Sequence, residues 1–265
     1  MTCGLIPFFM LYLIAESKSM ETNRDNKSLD VNLPVFEKEA RDLVDFFGKM
    51  DLNTLSSTLK VSMGIAKKIK EYFYEFSFPG NLIESIKSFD GVVFKNLDFQ
   101  SLPIPTQTST VNNVKIISSL YGILNLTDTI KPYRLEYNAP CEPIAQNLTK
   151  FWKSKITIYL TKLIKNLPDK NIINLLPGDA AKYIDWKLIK AFSKVTIPDF
   201  KFLDDMGNLR TPNANDLKKA RGLFLRESLI RNLLVPRYDD FETLEMIYSP
   251  EDSKSGRPLF ILKNK

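Results

Sequence analysis

The stretch SSLYGILNLTDTIKPYRLE, residues 118–136, combines a dense run of polar side chains with a turn signal at Tyr121-Gly122. It follows the apolar run at residues 114–118, which predicts a buried strand that the turn closes. Residues 10–14 form a similar apolar run near the start of the chain. Lys18 follows this run; a lone lysine is usually a surface residue, but one at the carboxyl end of a strand lies where α/β sheets bind ligands.

Strand and helix patterns alternate outward from this stretch. Apolar residues at helical spacing predict helices at residues 36–47, 52–76 (two short helices), 83–89, 147–164 and 217–234. Short apolar runs predict further strands at residues 91–94, 171–175, 195–197, 200–202 and 259–262. Because strands and helices interleave without an internal repeat, we expect one mixed α/β (α+β) domain, in which helices flank a mixed sheet.

The apolar N-terminus is not a typical targeting signal. No Lys or Arg precedes the run at residues 3–15, and Pro7 interrupts it. The run is also shorter than the roughly 20 apolar residues that a membrane span needs. We expect residues 1–9 to be an extension or a misassigned start, residues 10–265 to form the single domain, and the protein to be cytoplasmic without a membrane segment.

The composition excludes several kinds of active site. The 265 residues include no histidine, which removes Ser-His-Asp triads, Cys-His pairs and histidine zinc sites. The two cysteines, Cys3 and Cys141, cannot form a disulfide framework or a four-thiolate cluster, and they fit a reducing compartment. No cofactor or metal site is expected.

Basic residues concentrate near the C-terminus. The net charge, 37 − 31 = +6, is modest, but residues 210–237 hold seven basic side chains against two acidic ones. On a helix, 100° per residue places four cations around Gly222, namely Lys218, Lys219, Arg221 and Arg226. A helical glycine costs about 1 kcal/mol relative to alanine, which the approach of an anionic ligand would offset. The alternative is that Gly222 lets another helix pack closely while the cations are solvated.

The segment Pro-Tyr-Arg-Leu-Glu at residues 132–136 offers a second set of polar side chains. In an extended segment Arg134 and Glu136 share a face and together could bind a polar ligand. The alternative is an internal ion pair that shapes the turn. We expect Tyr121 and Tyr133 to support the site from behind, and they are more typical of core residues with a hydrogen-bonded hydroxyl than of acids.

The two helices predicted at residues 52–76 are broken at Met63-Gly64 and carry several lysines. This arrangement is compatible with a helix-hairpin-helix element, in which hairpin amides and lysines contact a DNA backbone. The candidate contacts are Lys60, Gly64, Lys67 and Lys68. An ordinary helix pair joined by glycine would have the same pattern.

Three motifs together resemble the YaaA family of bacterial peroxide-stress proteins. They are Leu-Tyr-Gly-Ile-Leu at residues 120–124, Pro-Tyr-Arg-Leu-Glu at 132–136 and Lys-Lys-Ala-Arg-Gly at 218–222. The resemblance covers roughly residue 10 to the C-terminus. It places Lys18 at the family's lysine after the first strand, and Asp128 and Lys182 at positions of supporting charges.

The chain also departs from the family motifs. Ala15-Glu16-Ser17 replaces Ser-Pro-Ala before the lysine, and residues 91–94, Gly-Val-Val-Phe, replace Gly-Asp-Val-Tyr. Asn125-Leu126 replaces Arg-Pro before Asp128, and residues 174–177, Asn-Leu-Leu-Pro, replace Asn-Leu-Ala-Ser. An acid, a tyrosine hydroxyl, an arginine and a serine are therefore missing, which would alter a catalytic pocket more than an electrostatic surface.

The resemblance implies resistance to hydrogen peroxide through limitation of free intracellular iron, and binding of DNA through a basic cleft. Because the sequence shows no iron-ligand cluster, any effect on iron should be indirect. An alternative is an enzyme acting on a small phosphorylated or carboxylated molecule in the same cleft, and a third is an interaction protein with neither activity. We lean towards a protein that is not an enzyme, and we predict that Lys18, Arg134 and Lys219 or Arg221 line one cleft.

Overall fold

The computed structural model describes residues 10–22, 31–231, 238, 241–242 and 245–263. The extension predicted at residues 1–9 and the end of the last predicted helix, residues 232–234, lie outside these ranges. In chain order the elements are β1 (Met10–Ala15), α1 (Glu37–Gly48), α2 (Leu52–Leu59), α3 (Met63–Glu75), β2 (Ile83–Glu84), α4 (Ser85–Ser88), α5 (Val92–Leu97), α6 (Ile104–Thr110), β3 (Val114–Ser118), β4 (Gly122–Asn125), β5 (Thr129–Ile130), α7 (Leu148–Lys165), β6 (Asn171–Asn174), α8 (Gly178–Ala181), α9 (Trp186–Lys190), β7 (Lys194–Thr196), β8 (Asp199–Leu203), β9 (Leu209–Arg210), α10 (Ala214–Ile230), β10 (Met246–Lys254) and β11 (Arg257–Leu262).

The main sheet is built around β1, whose six residues are all buried. Its strand order is β4-β3-β1-β6-β7. β1 runs parallel to β3 and β6, β6 runs parallel to β7, and β4 is antiparallel to β3. The unbroken apolar run of β1 is what a central strand covered on both faces requires. The predicted mixed sheet is therefore confirmed.

A second sheet holds the C-terminal strands in the order β10-β11-β8-β9, and a small third sheet pairs β2 with β5. The buried apolar residues of the two larger sheets belong to one connected core, which includes Leu13 of the first sheet and Phe260 of the second. Ring contacts join Phe260 to Phe224 of α10 at 4.9 Å between centroids. The mixed α+β fold class is confirmed.

Most predicted elements are present, and the one at residues 91–94 is wrong in type. These residues begin the helix α5 rather than a strand, with Gly91 as its N-cap. Phe94 and Leu97 are the buried residues of α5, and their spacing of three is helical. The apolar run that predicted a strand ends at Phe94. It therefore leaves out Leu97, the second buried residue of α5, which would have indicated helical spacing.

The α2–α3 hairpin is closed by its own caps. The carboxylate of Asp51 accepts the amides of Asn53 and Thr54 at the start of α2, and Ser62 caps α3. Lys60, between the helices, adopts left-handed backbone geometry with φ 54°. The break between the helices therefore falls at residues 60–62, one turn earlier than Met63-Gly64, which lie in the first turn of α3.

A buried lysine, Lys131, holds the C-terminal end of α3 through hydrogen bonds. Lys131 donates hydrogen bonds to the carbonyl oxygens of Glu75 and Phe76 at 3.0 and 3.1 Å, and also to that of Phe78. These carbonyls lie at or just beyond the C-terminus of α3, where a cation is favoured. Along the described ranges, no helix combines the length and the apolar character that crossing a membrane would require.

Candidate functional site

The carboxyl ends of β1, β3 and β6 meet at one edge of the main sheet, because these strands are parallel neighbours. The chain leaves this edge at Glu16 after β1, at Ser119 after β3 and at Leu175 after β6. The Glu16 amide still donates to the Ile117 carbonyl at 3.0 Å, which holds the start of the first loop in place. Crevices at such edges are the usual ligand sites of α/β sheets.

A cleft of about 390 Å³ opens at this edge. The loop after β1, the start of α5 and single residues from α8 and α10 form its walls, which include Lys18, Tyr137, Asp179 and Lys218. Gly91 lets the loop and α5 meet, because an added Cβ would lie 2.2 Å from the Ser17 Oγ. The volume falls in the range of roughly 300–1,000 Å³ that small-molecule sites occupy.

Lys18 forms an ion pair at the cleft. Its Nζ lies 2.5 Å from Oε2 of Glu136, and the two side chains are 56% and 32% exposed. The partner of Glu136 is therefore Lys18, and the alternative of an internal ion pair between Arg134 and Glu136 is not what the structure shows. Such a half-exposed pair contributes little to stability, since solvent screens it.

Arg134 belongs to the same segment as Glu136. Among the described residues, it is not one of those that line the cleft. Its Nε is buried and has no hydrogen-bond partner among the described residues. The part of the prediction that places Arg134 in one cleft with Lys18 thus has no support from the cleft lining.

Glu16 is the cleft residue with the most distinctive surroundings. Its carboxylate accepts a hydrogen bond from the Ser119 amide at 2.9 Å and another from the Tyr133 hydroxyl. These donors favour the ionised form, but burial outweighs them and raises the pKa of Glu16 to about 7. The carboxyl can therefore change its charge near neutral pH.

The hydroxyls next to Glu16 form a directed chain. The Tyr121 amide donates to Ser118 Oγ at 2.9 Å, and Ser118 Oγ lies 2.6 Å from the Tyr133 hydroxyl. Because Tyr133 donates its proton to Glu16, Ser118 must be the donor to Tyr133. Burial, with Glu16 nearby, raises the pKa of Tyr133 well above its usual value, so its hydroxyl remains a donor.

The basic side chains of α10 do not converge on the cleft. Lys219 pairs with Glu245 at 3.6 Å, and Arg226 donates to the carbonyls of Leu97 and Asp98 at the end of α5. Arg221 is half-buried, and burial lowers the pKa of its guanidinium. Of the four cations predicted around Gly222, Lys218 is the one that lines the cleft in the described chain.

Gly222 lies at the crossing of α10 and α5. An added Cβ would lie 2.4 Å from the carbonyl oxygen of Val93 and 2.8 Å from Cβ of Asn96. The second of the two explanations given for Gly222, close packing of another helix, therefore accounts for this glycine.

The candidate hairpin contacts lie on the surface. Lys60, Gly64, Lys67 and Lys68 are all exposed, and a Cβ added at Gly64 would meet no atom within 4 Å. Lys68 lies over the ring of Tyr72, with 5.5 Å between Nζ and the centroid. Within the described residues, none of the three lysines has an ion pair.

The predicted supporting residues lie in different places. The Tyr121 hydroxyl accepts the Lys131 amide at 3.0 Å inside the core. Asp128 accepts hydrogen bonds from the backbone and side-chain amides of Asn125. Asn125 pairs with the start of β3, whereas the cleft lies at the end of β3, so Asp128 is far from the cleft along this strand. Lys182 pairs with Asp179 at 2.9 Å on the exposed rim.

Sequence reasoning missed Glu16, Ser118 and Tyr137. Glu16 was visible only as a departure from the family motif, yet it directly follows the buried strand β1. Residues in that position line the ligand edge of a parallel sheet, which is the signal that would have found it. Over the described ranges, no group of three or more His, Cys, Asp and Glu residues is placed to hold a metal ion.

The fold and the cleft define an α+β protein with a charged cleft at the carboxyl edge of a mainly parallel sheet. The chain belongs to the peroxide stress protein YaaA family, whose family model matches residues 10–246. It is similar to proteins named UPF0246 from Clostridium botulinum strain Alaska E43, at 30% identity over 96% of this chain and 100% of the relative, and from strain Eklund 17B, at 29% over the same shares. A UPF0246 protein of Rickettsia rickettsii strain Iowa is 28% identical over 95% of this chain and 99% of the relative. The family resemblance predicted from the motifs is confirmed.

Proposed function

We propose that this protein acts in resistance to hydrogen peroxide by limiting free intracellular iron, and that it binds DNA through the α2–α3 hairpin. Membership of the peroxide stress protein YaaA family supports the first part. The effect on iron is indirect in this proposal, because the sequence has no histidine and just two cysteines to offer as soft ligands.

The observation that carries the DNA proposal is the open surface at Gly64. This glycine is in the first turn of α3 and has no positive φ, and a methyl group there would touch none of the described residues. The fold therefore gives no steric reason for glycine there. A backbone that must approach a phosphate closely does give one.

The lysines lie where such a phosphate backbone would pass. Lys67 and Lys68 follow Gly64 by three and four residues, so all three share one face of α3. Lys60 sits in the turn just before that face. These exposed lysines lie next to the amides of a helix N-terminus and have no acidic partner among the described residues, which suits sequence-independent contact with DNA phosphates.

The α10 cations fit this role less well. Lys219, Arg226 and Arg231 already contact acidic side chains. The DNA contact is therefore assigned to the hairpin rather than to the basic arc predicted around Gly222.

Fluorescence anisotropy with labelled duplex DNA over a series of salt concentrations tests the hairpin. In the double variant Lys67→Ala/Lys68→Ala, the slope of log affinity against log salt should flatten by about one unit per lost phosphate contact. The matched control is Lys150→Ala/Lys153→Ala, which removes the same charge from two exposed positions of α7. Equal slopes in both double variants, or binding that does not depend on salt, would refute the proposal.

The peroxide role needs a test in cells. In a bacterium that lacks its own YaaA-family gene, expression of this chain should raise survival in hydrogen peroxide and lower the electron paramagnetic resonance signal of chelatable iron. If the double variant Lys67→Ala/Lys68→Ala also lowers the iron signal, iron limitation does not depend on DNA binding by the hairpin. Survival and iron signal unchanged by the wild-type chain would contradict the peroxide proposal.

A further inference from the structure

Lys218 is a cation at the cleft that has no acidic partner among the residues the structure describes. The other lysines near the cleft are paired: Lys18 with Glu136 at 2.5 Å and Lys182 with Asp179 at 2.9 Å. Lys218 is exposed on α10, lines the cleft and forms no ion pair with any described residue. It is therefore available to an anion that enters the cleft.

Glu16 provides a second, fixed polar group in the same cleft. Its carboxyl is oriented by Tyr133 and by the Ser119 amide, and those contacts are neutral rather than cationic. Ser118 Oγ holds the Tyr133 hydroxyl in turn, and Ser118 Oγ itself accepts the Tyr121 amide. This carboxyl is oriented at the wall of a cavity and has no cationic partner in the described part of the chain, so it is suited to meeting a polar group of a ligand.

We propose that this cleft binds a small molecule bearing one phosphate or carboxylate group, with Lys218 contacting the anion and Glu16 hydrogen-bonded to the neighbouring part of the ligand. The volume of about 390 Å³ suits a ligand of roughly nucleotide size or smaller, and a DNA duplex does not fit in it. This function is independent of the hairpin.

The charge of Glu16 couples anion binding to pH. The cleft and its rim also hold the charges of Lys18, Lys218, Glu136 and Asp179, two of each sign, with Lys182 beside Asp179. The tyrosines that face Glu16 remain neutral, because burial and Glu16 raise the pKa values of Tyr133, Tyr137 and Tyr183. Ionisation of Glu16 thus adds a negative charge beside the bound anion, and affinity should fall as pH rises through about 7.

Nuclear magnetic resonance titration of the ¹⁵N-labelled full chain tests the site. Sulfate is the tetrahedral probe and acetate the carboxylate probe, because both keep a fixed charge between pH 6 and 8. We expect saturable shifts of the Ser17, Ser19 and Val93 amides with one of the two anions. The anion that causes them shows whether the cleft prefers a phosphate-like or a carboxylate ligand. No saturable shift with either anion would overturn the proposal.

Two variants of neighbouring lysines separate a contact from long-range attraction. Lys218→Ala should weaken binding about tenfold, the loss of one charge-assisted contact. Lys219→Ala removes the same charge one residue along α10 and should leave affinity within about twofold, because Lys219 faces Glu245. Equal losses in both variants would refute a contact at Lys218.

The pH series tests Glu16. Wild-type affinity should fall about fivefold between pH 6 and pH 8, and Glu16→Gln should remove that dependence. A wild-type affinity that is constant over this range would overturn the role of Glu16, even if the glutamine variant failed to fold. The hairpin variant Lys67→Ala/Lys68→Ala should bind the anion as the wild type does, so this result stands apart from the DNA proposal.

Discussion

The helices α3 and α10 look alike in sequence and differ in structure. Each carries a glycine among basic side chains, Gly64 in one and Gly222 in the other. A Cβ at Gly64 would meet no atom of the described chain within 4 Å, whereas one at Gly222 would lie 2.4 Å from the Val93 carbonyl oxygen. The same local pattern therefore arises from two causes, an open surface in α3 and helix packing in α10.

The charges of the two helices differ in the same way. Lys219, Arg226 and Arg231 of α10 contact acidic residues or carbonyl oxygens of the fold. The lysines of the first turns of α3 are exposed and have no ion pairs within the described part of the chain. A cluster of cations indicates a binding surface only when the fold has not already neutralised it.

The largest expected effect is at the α10–α5 crossing. Gly222→Val should lower the free energy of unfolding by about 3 kcal/mol or more, because the new side chain must displace the backbone of α5. Chemical denaturation measures this loss. Gly64→Val is the control at the open site and should lose less than about 1 kcal/mol. Similar losses at both glycines would abolish the contrast between the helices.

The main sheet was largely predictable because its three central strands are buried on both faces and have the pattern of apolar runs. β1, β3 and β6 follow directly from that pattern. The short edge strand β9 and the polar strand β10 do not follow from it, since few of their residues are buried and they show no apolar period. Long-range packing decided α5, whose buried face is completed by α10.

The second prediction concerns how α3 is held. Lys131→Met keeps the buried chain but removes the ammonium that contacts three carbonyl oxygens at or just beyond the end of α3. We expect a loss of about 2–3 kcal/mol, the cost of leaving buried acceptors without a donor. Hydrogen exchange should become faster in α3 and remain unchanged in α10. Faster exchange in α10 alone would show that Lys131 does not anchor the hairpin.

The third prediction tests whether Arg226 belongs to the fold. Arg226→Met removes its hydrogen bonds to the Leu97 and Asp98 carbonyls, at 2.9 and 2.7 Å, and should cost about 1.5 kcal/mol. DNA affinity should stay within about twofold, since the charge is already engaged with α5. Stability equal to that of the wild type together with weaker DNA binding would reverse the assignment and return Arg226 to a DNA-contacting surface.

The cleft was harder to predict than the fold. The sequence indicated Lys18, Glu136 and Lys218 as candidates, and these do meet near one cleft. Which partner each charge takes depends on contacts across more than 100 residues, such as Lys18 with Glu136, and no local spacing reports them. Glu16 escaped notice for the same reason, because its donors come from the segments after β3 and β5.

The smallest expected change in stability distinguishes the two helices most sharply. Gly64→Ala should raise the free energy of unfolding by about 0.5–1 kcal/mol, because alanine is the better helix former and the space around it is empty. If a DNA phosphate approaches the backbone of Gly64, the added methyl group should nevertheless weaken DNA binding, and a residue that stabilises the fold would impair the function. Ser62→Ala provides the complementary control, since it removes the cap of α3 and should lower stability without placing a new atom on the exposed face. A Gly64→Ala protein that is more stable and binds DNA as well as the wild type would leave the glycine without a functional reason, and α3 would then be an ordinary basic helix of the surface.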